Sequence, residues 1–182
     1  MCWRAATAGD TLKNDDPSTT TPLGAVRLSA QHERAANGTT ATKIEVIPPG
    51  GGSKDANHVV GDVVVTWDDG RREQLTRGVH AERAKLGPDG LIGWTWAKER
   101  YQKMWVTEHL RVQRGEQLLF EVKSVKPFIE DWTFAAEGLV VKSRAAHGPA
   151  SIELFALKTG KQIQLINAYD DAPPTWAKPF AE

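Results

Sequence analysis

The sequence predicts an all-β protein built from about three propeller-like four-stranded repeats, and three observations lead to this fold class. Gly70, Gly115 and Gly160 lie 45 residues apart, and each stands between two short runs of strand-like composition. A second glycine-centred pattern recurs after 48 residues, at Gly90 and Gly138. A unit of about 45 residues with four short strands has the size of a β-propeller blade.

The first pattern predicts one β-hairpin in each repeat. Each hairpin joins an apolar run to a run that alternates polar and apolar residues, and the glycine supplies the positive φ that a tight turn requires. The paired runs are Asp62–Trp67 with Gly70–Leu75, Met104–Thr107 with Gly115–Phe120, and Ile152–Phe155 with Gly160–Leu165.

The second pattern predicts a strand, a turn and a strand upstream of two of these hairpins. Leu86–Trp94 corresponds to Phe134–Lys142. Because side chains alternate along a strand, Ile92, Trp94 and Trp96 should share one face. Trp132 and Phe134 should share a face in the next unit for the same reason.

These motifs resemble a known repeat. Asp69–Thr76, followed by Gly87–Gly90 and Ile92–Thr95, is similar to the TolB-type propeller repeat, in which a strand ending in Leu-Thr leads through a loop to a Pro-Asp-Gly turn. The third unit departs from the pattern, with Ala136–Gly138 in place of that turn. The resemblance covers about residues 60–166 and implies a bacterial envelope protein.

The repeats divide the chain into units at about 23–77, 78–124 and 125–166, with a tail at 167–182. Three blades are fewer than the four to eight of closed propellers. Ala25–Leu28 and Lys43–Ile47 are candidates to complete the first unit, and Trp176 is a candidate start of a fourth. The alternatives are a tail that pairs with the first blade or covers an open edge, a propeller completed by other copies, and an open sheet or sandwich.

The amino-terminal residues have a different composition from the repeats. Thr, Ser, Asp, Asn, Gly and Pro dominate residues 7–23, which predicts a flexible leader over residues 1–22 before a single domain at 23–182. Cys2 is the single cysteine and excludes an internal disulfide or a Cys-rich metal site. A cysteine before a polar tether is also typical of a lipid-anchored bacterial protein, although an incidental thiol is favoured. We expect a periplasmic or secreted location if a signal was removed, and a cytoplasmic one otherwise.

Charge and hydropathy restrict the partners. The 182 residues include 23 Lys and Arg against 23 Asp and Glu, so we expect no nucleic-acid partner. No run approaches the roughly 18 apolar residues of a membrane span, so we expect no transmembrane segment. The remaining partners are a protein or small-molecule ligand of unknown identity and further copies of the chain.

The sequence contains no catalytic or metal-binding constellation. Gly51–Asp55 departs from the Gly-x-Ser-x-Gly elbow of serine hydrolases, and the five histidines show no metal spacing. His80 and Glu82 form a His-x-Glu pair, interpreted as an isolated surface pair because the cysteines of zinc deaminases are missing. Adjacent acids such as Asp68 and Asp69 point to opposite faces of a strand and are better explained by turns. We therefore expect no cofactor and no metal, and we assign no catalytic residue.

One segment is a candidate binding surface. Residues 71–103 carry eight Lys or Arg against four acids, and aromatic side chains lie among and just beyond them. The proposed surface for an acidic partner consists of Trp96, Arg100, Tyr101 and Trp105. A solvated loop face is the competing interpretation. For the tryptophans in general, core packing is favoured over stacking on a sugar or another planar ligand.

Two functional hypotheses follow from these observations. The first is a non-catalytic binding or scaffold module of bacterial envelope type. The second is a hydrolase or lyase whose polar site is assembled from loops of different repeats. Titratable groups buried together in one concave pocket would favour the enzyme, whereas a flat aromatic and basic surface would favour the binding module.

Overall fold

The computed structural model describes residues 39–48, 60–101 and 104–181, and within them the protein is all-β. Short 3-10 turns lie at Pro88–Gly90 and Thr175–Ala177. The strands of the described residues are β1 (Ala41–Ile47), β2 (Asp62–Trp67), β3 (Arg72–Gln74), β4 (His80–Leu86), β5 (Leu91–Ala97), β6 (Glu99–Tyr101), β7 (Met104–Val106), β8 (His109–Arg114), β9 (Gln117–Lys123), β10 (Phe128–Phe134), β11 (Leu139–Arg144), β12 (Ser151–Phe155) and β13 (Gln162–Asn167).

Antiparallel pairing arranges these strands in three main sheets, which confirms the all-β class with four-stranded sheets. The first sheet has the order β1-β2-β3, the second β4-β5-β8-β9, and the third β10-β11-β12-β13. A separate hairpin, β6-β7, extends from the connection between β5 and β8. The first sheet has three strands among the described residues instead of four. Lys43–Ile47 lies in β1 as expected, whereas Ala25–Leu28, the leader and Cys2 lie outside the described residues.

The second sheet lies between the other two. Ile92 and Trp94 pack with Val63 and Val65 of the first sheet. Leu91, on the opposite face of β5, belongs to the apolar cluster that the second sheet shares with the third. Ile92, Trp94 and Trp96 do face the same neighbour, and Trp132 packs with Phe134 in the other cluster, so both predicted faces are confirmed.

The predicted turns adopt the conformation that their glycines allow. Gly70, Gly115 and Gly160 have φ values of 79°, 56° and 65°. Gly90 closes the Pro88–Gly90 turn with φ 71°. The glycines therefore mark the three turns correctly, because few other residues tolerate this backbone region. The strand predicted before Gly115 is wrong: Met104–Val106 pairs with β6, and β8 forms the hairpin with β9, because the apolar side chains of β8 are the ones buried between the sheets.

The tail differs from its prediction. Trp176 lies in a 3-10 turn instead of starting a fourth four-stranded unit. With Ala177 and Phe180 it packs on Val140 and Leu154, which share the face of the third sheet turned away from the second. The tail thus covers a sheet face and not the predicted open edge, because its three prolines disfavour strand pairing while its apolar side chains still require burial.

The described residues contain no helix whose length and hydropathy would allow it to span a membrane.

Candidate ligand-binding pocket

A pocket of about 410 Å³ opens where β2, β4, β5 and β7 meet. Its volume lies within the roughly 300–1,000 Å³ of small-molecule sites. The side chains that shape it lie within these strands or directly beside their ends, at Asp62, Val79, His80, Trp96, Lys98 and Trp105. More of its surface is apolar than polar, which is typical of sites that hold an organic ring.

Gly61 fixes the base of the pocket by joining the first sheet to the second. Its N–H donates to the carbonyl of Ala81 and its carbonyl accepts from the N–H of Ala81, both at 3.1 Å. A Cβ on Gly61 would lie 2.0 Å from the carbonyl oxygen of Ile47. Only glycine permits this close backbone approach.

Asp62 holds the loop before β4 against β2. Its carboxylate accepts hydrogen bonds from Gln74 Nε2 at 3.0 Å, Thr76 Oγ1 at 3.2 Å and the Val79 N–H at 3.3 Å. Desolvation by itself would raise the pKa of Asp62, but these donors and the Gly78 N–H hold the pKa below its ordinary value. The ionised carboxylate thereby positions the loop that leads into His80.

His80 and Trp105 form one wall of the pocket. Their ring centroids are 3.9 Å apart with an interplanar angle of 27°, a stacked pair. Desolvation against these neighbours lowers the pKa of His80; Arg100 lowers it further and Glu82 opposes the change. The imidazole is therefore neutral at neutral pH.

Arg100 lies directly opposite Trp105 in the β6-β7 hairpin, and its guanidinium carbon is 4.9 Å from the centre of the indole ring. This is a cation–π distance, so the hairpin register itself sets the orientation of Trp105. Tyr101 ends β6, and its side chain lies outside the described part of the structure.

Trp96 forms a second aromatic wall from β5. Its Nε1–H donates to Glu121 Oε2 at 3.2 Å, and its ring lies 5.0 Å from that of His109, its partner in the β5–β8 register. The guanidinium carbon of Arg111 is 5.6 Å from the ring centre. Three neighbours thus hold the Trp96 ring in place.

The proposed aromatic and basic surface divides in the structure: its two tryptophans line the pocket, whereas most of the basic residues of the segment do not. Trp96 and Trp105 both line the pocket, and Arg100 contacts the latter ring. Several basic residues of the segment 71–103 form ion pairs, most of them at partly exposed positions. The pairs are Arg71 with Glu73, Arg72 with Glu45, Arg83 with Glu82, and Lys85 with Asp131.

The interpretation of His80 and Glu82 as an isolated surface pair is wrong. His80 is partly buried in the pocket wall, and Glu82 is 7% exposed beside Arg83. This burial follows from the pairing of β4 with β5. The polar sequence of β4 does not predict it. No group of three His, Cys, Asp or Glu among the described residues has the geometry of a metal site.

Sequence reasoning missed Asp62, Gly61 and Val79 as pocket residues. The partners of Asp62 lie 12 to 17 residues further along the chain, so no short motif marks it. Two of the acidic pairs that sequence assigned to turns are in turns: Asp69 accepts from the Arg71 N–H at 2.9 Å, and Asp170 from the Asn167 N–H at 3.2 Å. The same interpretation is wrong for Glu130 and Asp131, which lie within β10 and pair with Arg144 and Lys85.

The core interpretation of the tryptophans holds for Trp67, Trp94, Trp132 and Trp176, which are all at most 8% exposed. Trp96 and Trp105 are the partly exposed ones among the described tryptophans. Comparison of the chain with protein-family models, curated protein sequences and solved structures found no match to any of them.

Proposed function

We propose that the protein is a non-catalytic binding module that holds a small ring-bearing ligand, a sugar or a planar heterocycle, in the pocket between Trp96 and Trp105. The observation that carries this proposal is that the partly exposed tryptophans of the described chain both line the same concave pocket. Indole faces offer a large contact area to a ring and lose little side-chain entropy on binding.

The pocket is organised before a ligand arrives. His80 and Arg100 hold the ring of Trp105, while Glu121 and His109 hold that of Trp96. Side chains already fixed in their binding orientation cost less free energy to order, so more of the stacking energy contributes to affinity.

The titratable groups support binding over catalysis. Asp62, His80 and Lys98 are the titratable side chains among the described lining residues. Several hydrogen bonds already occupy the carboxylate of Asp62, and its lowered pKa leaves it ionised and a weak base at neutral pH. A hydrolase or lyase is the alternative function, and it would turn over a ligand that this proposal expects to be released unchanged.

The propeller character and the envelope location belong to the same proposal. Three stacked antiparallel sheets and the Asp69–Thr76 and Gly87–Gly90 motifs are compatible with an open, TolB-like propeller. The proposed location is the bacterial periplasm or cell exterior, which a fractionation experiment on the native host would test.

Saturation-transfer NMR on the full chain tests the pocket, with a panel of monosaccharides and of indole- and purine-type heterocycles as probes. For a compound that binds, Trp105→Ala should weaken binding about tenfold or more, because a stacking surface is lost. Tyr169→Ala is the matched control, since this aromatic side chain is 54% exposed and lies outside the pocket.

Two results would contradict the proposal. One is that no compound of the panel binds, and the other is that a bound compound is equally affected by Tyr169→Ala and Trp105→Ala. Thermal melts of both variants show whether each remains folded. Following the bound compound over hours by NMR distinguishes a binding module from an enzyme, because a converted compound would establish the alternative.

A further inference from the structure

β13 is an outer strand of the third sheet with an apolar surface. It pairs with β12 on one side, and no described strand pairs with its other side. Ile163 is 57% exposed and Leu165 is 49% exposed. The strand runs Gln-Ile-Gln-Leu-Ile-Asn and contains no charged residue and no proline.

The backbone N–H and C=O of Leu165 point away from β12, toward the open side of the sheet. The Ala168 N–H donates to Ala150 O at 3.0 Å, and this pair continues the register of Ser151 with Asn167, so it occupies a hydrogen-bonded position of the ladder. Such pairs alternate with pairs that do not, which places Leu165, opposite Glu153, in a pair without ladder bonds. The Leu165 N–H and C=O are therefore directed to the open side of β13.

This edge has few of the features that prevent strands from pairing. Natural edge strands are blunted by Lys, Pro, inward charges or bulges. A register shift between Leu154 and Phe155 makes Ile163 the extra residue of a bulge, but it lies near the start of the strand. The segment Gln164–Ile166 is regular and uncharged, so it can accept another strand, whereas the outward N–H of Asn167 already donates to Asp170 Oδ2.

We propose that β13 pairs antiparallel with β13 of a second copy of this chain, about a two-fold axis at Leu165. At this register Leu165 lies opposite Leu165 of the second copy, and its outward N–H and C=O exchange two hydrogen bonds with those of its equivalent. Gln164 lies opposite Ile166. The two third sheets then form one continuous eight-stranded sheet.

The charged residues that flank β13 also favour antiparallel pairing of the two copies. Lys158 and Lys161 precede the strand, and Asp170 and Asp171 follow it. Antiparallel pairing of two copies brings the basic end of one strand beside the acidic end of the other, whereas parallel pairing would oppose like charges.

A second apolar side chain extends the contact. Val125 is 50% exposed, and its N–H lies 3.2 Å from both carboxylate oxygens of Glu153, the residue opposite Leu165 in the sheet. Val125 therefore lies on the same face of the third sheet as the Leu165 side chain. The two-fold axis brings the Leu165 side chains of both copies together, which favours a second copy over an unrelated strand.

Sedimentation velocity on the full chain over a range of concentrations tests the proposal. The wild-type protein should shift from monomer to dimer as concentration rises. Leu165→Lys should raise the dissociation constant about tenfold or more, since it opposes two like charges at the axis. Gln164→Lys is the matched control: its side chain is also exposed, but it faces Ile166 of the second copy and should change the constant less.

Cross-linking fixes the register independently. In a Cys2→Ser background, Leu165→Cys should form a disulfide-linked dimer under mild oxidation, because hydrogen-bonded antiparallel partners lie about 5.5 Å apart. Gln164→Cys should not, since it is two residues out of register with its equivalent. A wild-type chain that stays monomeric at every soluble concentration would overturn the proposal. So would a dimer that tolerates Leu165→Lys or cross-links better through position 164.

Discussion

The indole N–H of Trp132 donates a 2.9 Å hydrogen bond to the backbone carbonyl of Arg83, across the boundary between the third and second sheets. Arg83 has φ 47°, and the β4–β5 register shifts between Glu82 and Lys85. This bulge directs a carbonyl out of the ladder and toward the indole. Lys85 reinforces the contact through the carbonyl of Trp132 and a 2.6 Å ion pair with Asp131.

Trp132→Phe should therefore destabilise the protein by about 1–3 kcal/mol, because the Arg83 carbonyl loses its buried partner. Trp96→Phe is the control, since the Trp96 N–H bonds to Glu121 at an exposed site where water can replace it. Urea denaturation of both variants provides the comparison. Equal losses of unfolding free energy would contradict a special role for the bond between sheets.

Valine at Gly70, Gly115 or Gly160 should cost about 1–3 kcal/mol through backbone strain, because β-branched residues disfavour positive φ. Alanine substitutions at the same glycines should distinguish backbone strain from steric crowding of the added Cβ. A Cβ at Gly160 would lie 2.8 Å from the ring of Phe120, whereas at Gly70 no atom lies within 4 Å. Thermal melts should thus show Gly160→Ala as the more damaging change, and the reverse order would contradict the assigned contact.

Glu153 should make the stability fall as pH rises. The carboxyl is fully buried, and desolvation raises its pKa above the ordinary 4.5 despite hydrogen bonds from the Val125 N–H and Ser143. The folded state then binds its proton more tightly than the unfolded state, so the unfolding free energy decreases between pH 4.5 and the folded pKa. Glu153→Gln should remove this decrease.

Urea midpoints measured across that pH range check the Glu153 prediction. The variant should gain stability over the wild type as pH rises, with Glu137→Gln as an exposed control. A constant difference between Glu153→Gln and the wild type at all pH values would disprove the linkage.

Asp62 should act in the opposite sense. Its lowered pKa means that its stabilising effect is present above the ordinary value of 3.8 and is lost as pH falls through the folded pKa. Asp62→Asn should weaken the loop before β4, so the Val79 amide should exchange its hydrogen faster than in the wild type. Asp89→Asn, at an exposed turn, should leave that exchange rate unchanged.

The tail should be needed to cover the outer face of the third sheet. Trp176→Ala should cost about 3–5 kcal/mol, because the side chain is 8% exposed and fills space over Val140 and Leu154. Truncation after Ile166 should expose this face, increase binding of a hydrophobic dye and promote association. Tyr169→Ala serves as the control within the tail. A truncated chain that melts like the wild type and binds no dye would contradict this role.

Several features of the fold were predictable because they depend on local chemistry. Glycine at 70, 115 and 160 marks turns since it tolerates positive φ, and alternation along β5 placed Ile92, Trp94 and Trp96 on one face. The tail was recognisable as apolar and rich in proline. That Trp176 would lie on a sheet face was not, because the face it covers exists only once β11 and β12 have paired.

The pocket and the dimer edge depend on contacts that the linear sequence does not contain. Asp62, His80, Trp96 and Trp105 belong to four different strands, and the registers of β4 with β5 and of β6 with β7 bring them together. The outward direction of the Leu165 backbone likewise follows from which residues of β13 bond to β12. Composition and periodicity specify turns and faces, whereas strand register and sheet packing, set by burial summed over the whole chain, decide which side chains meet.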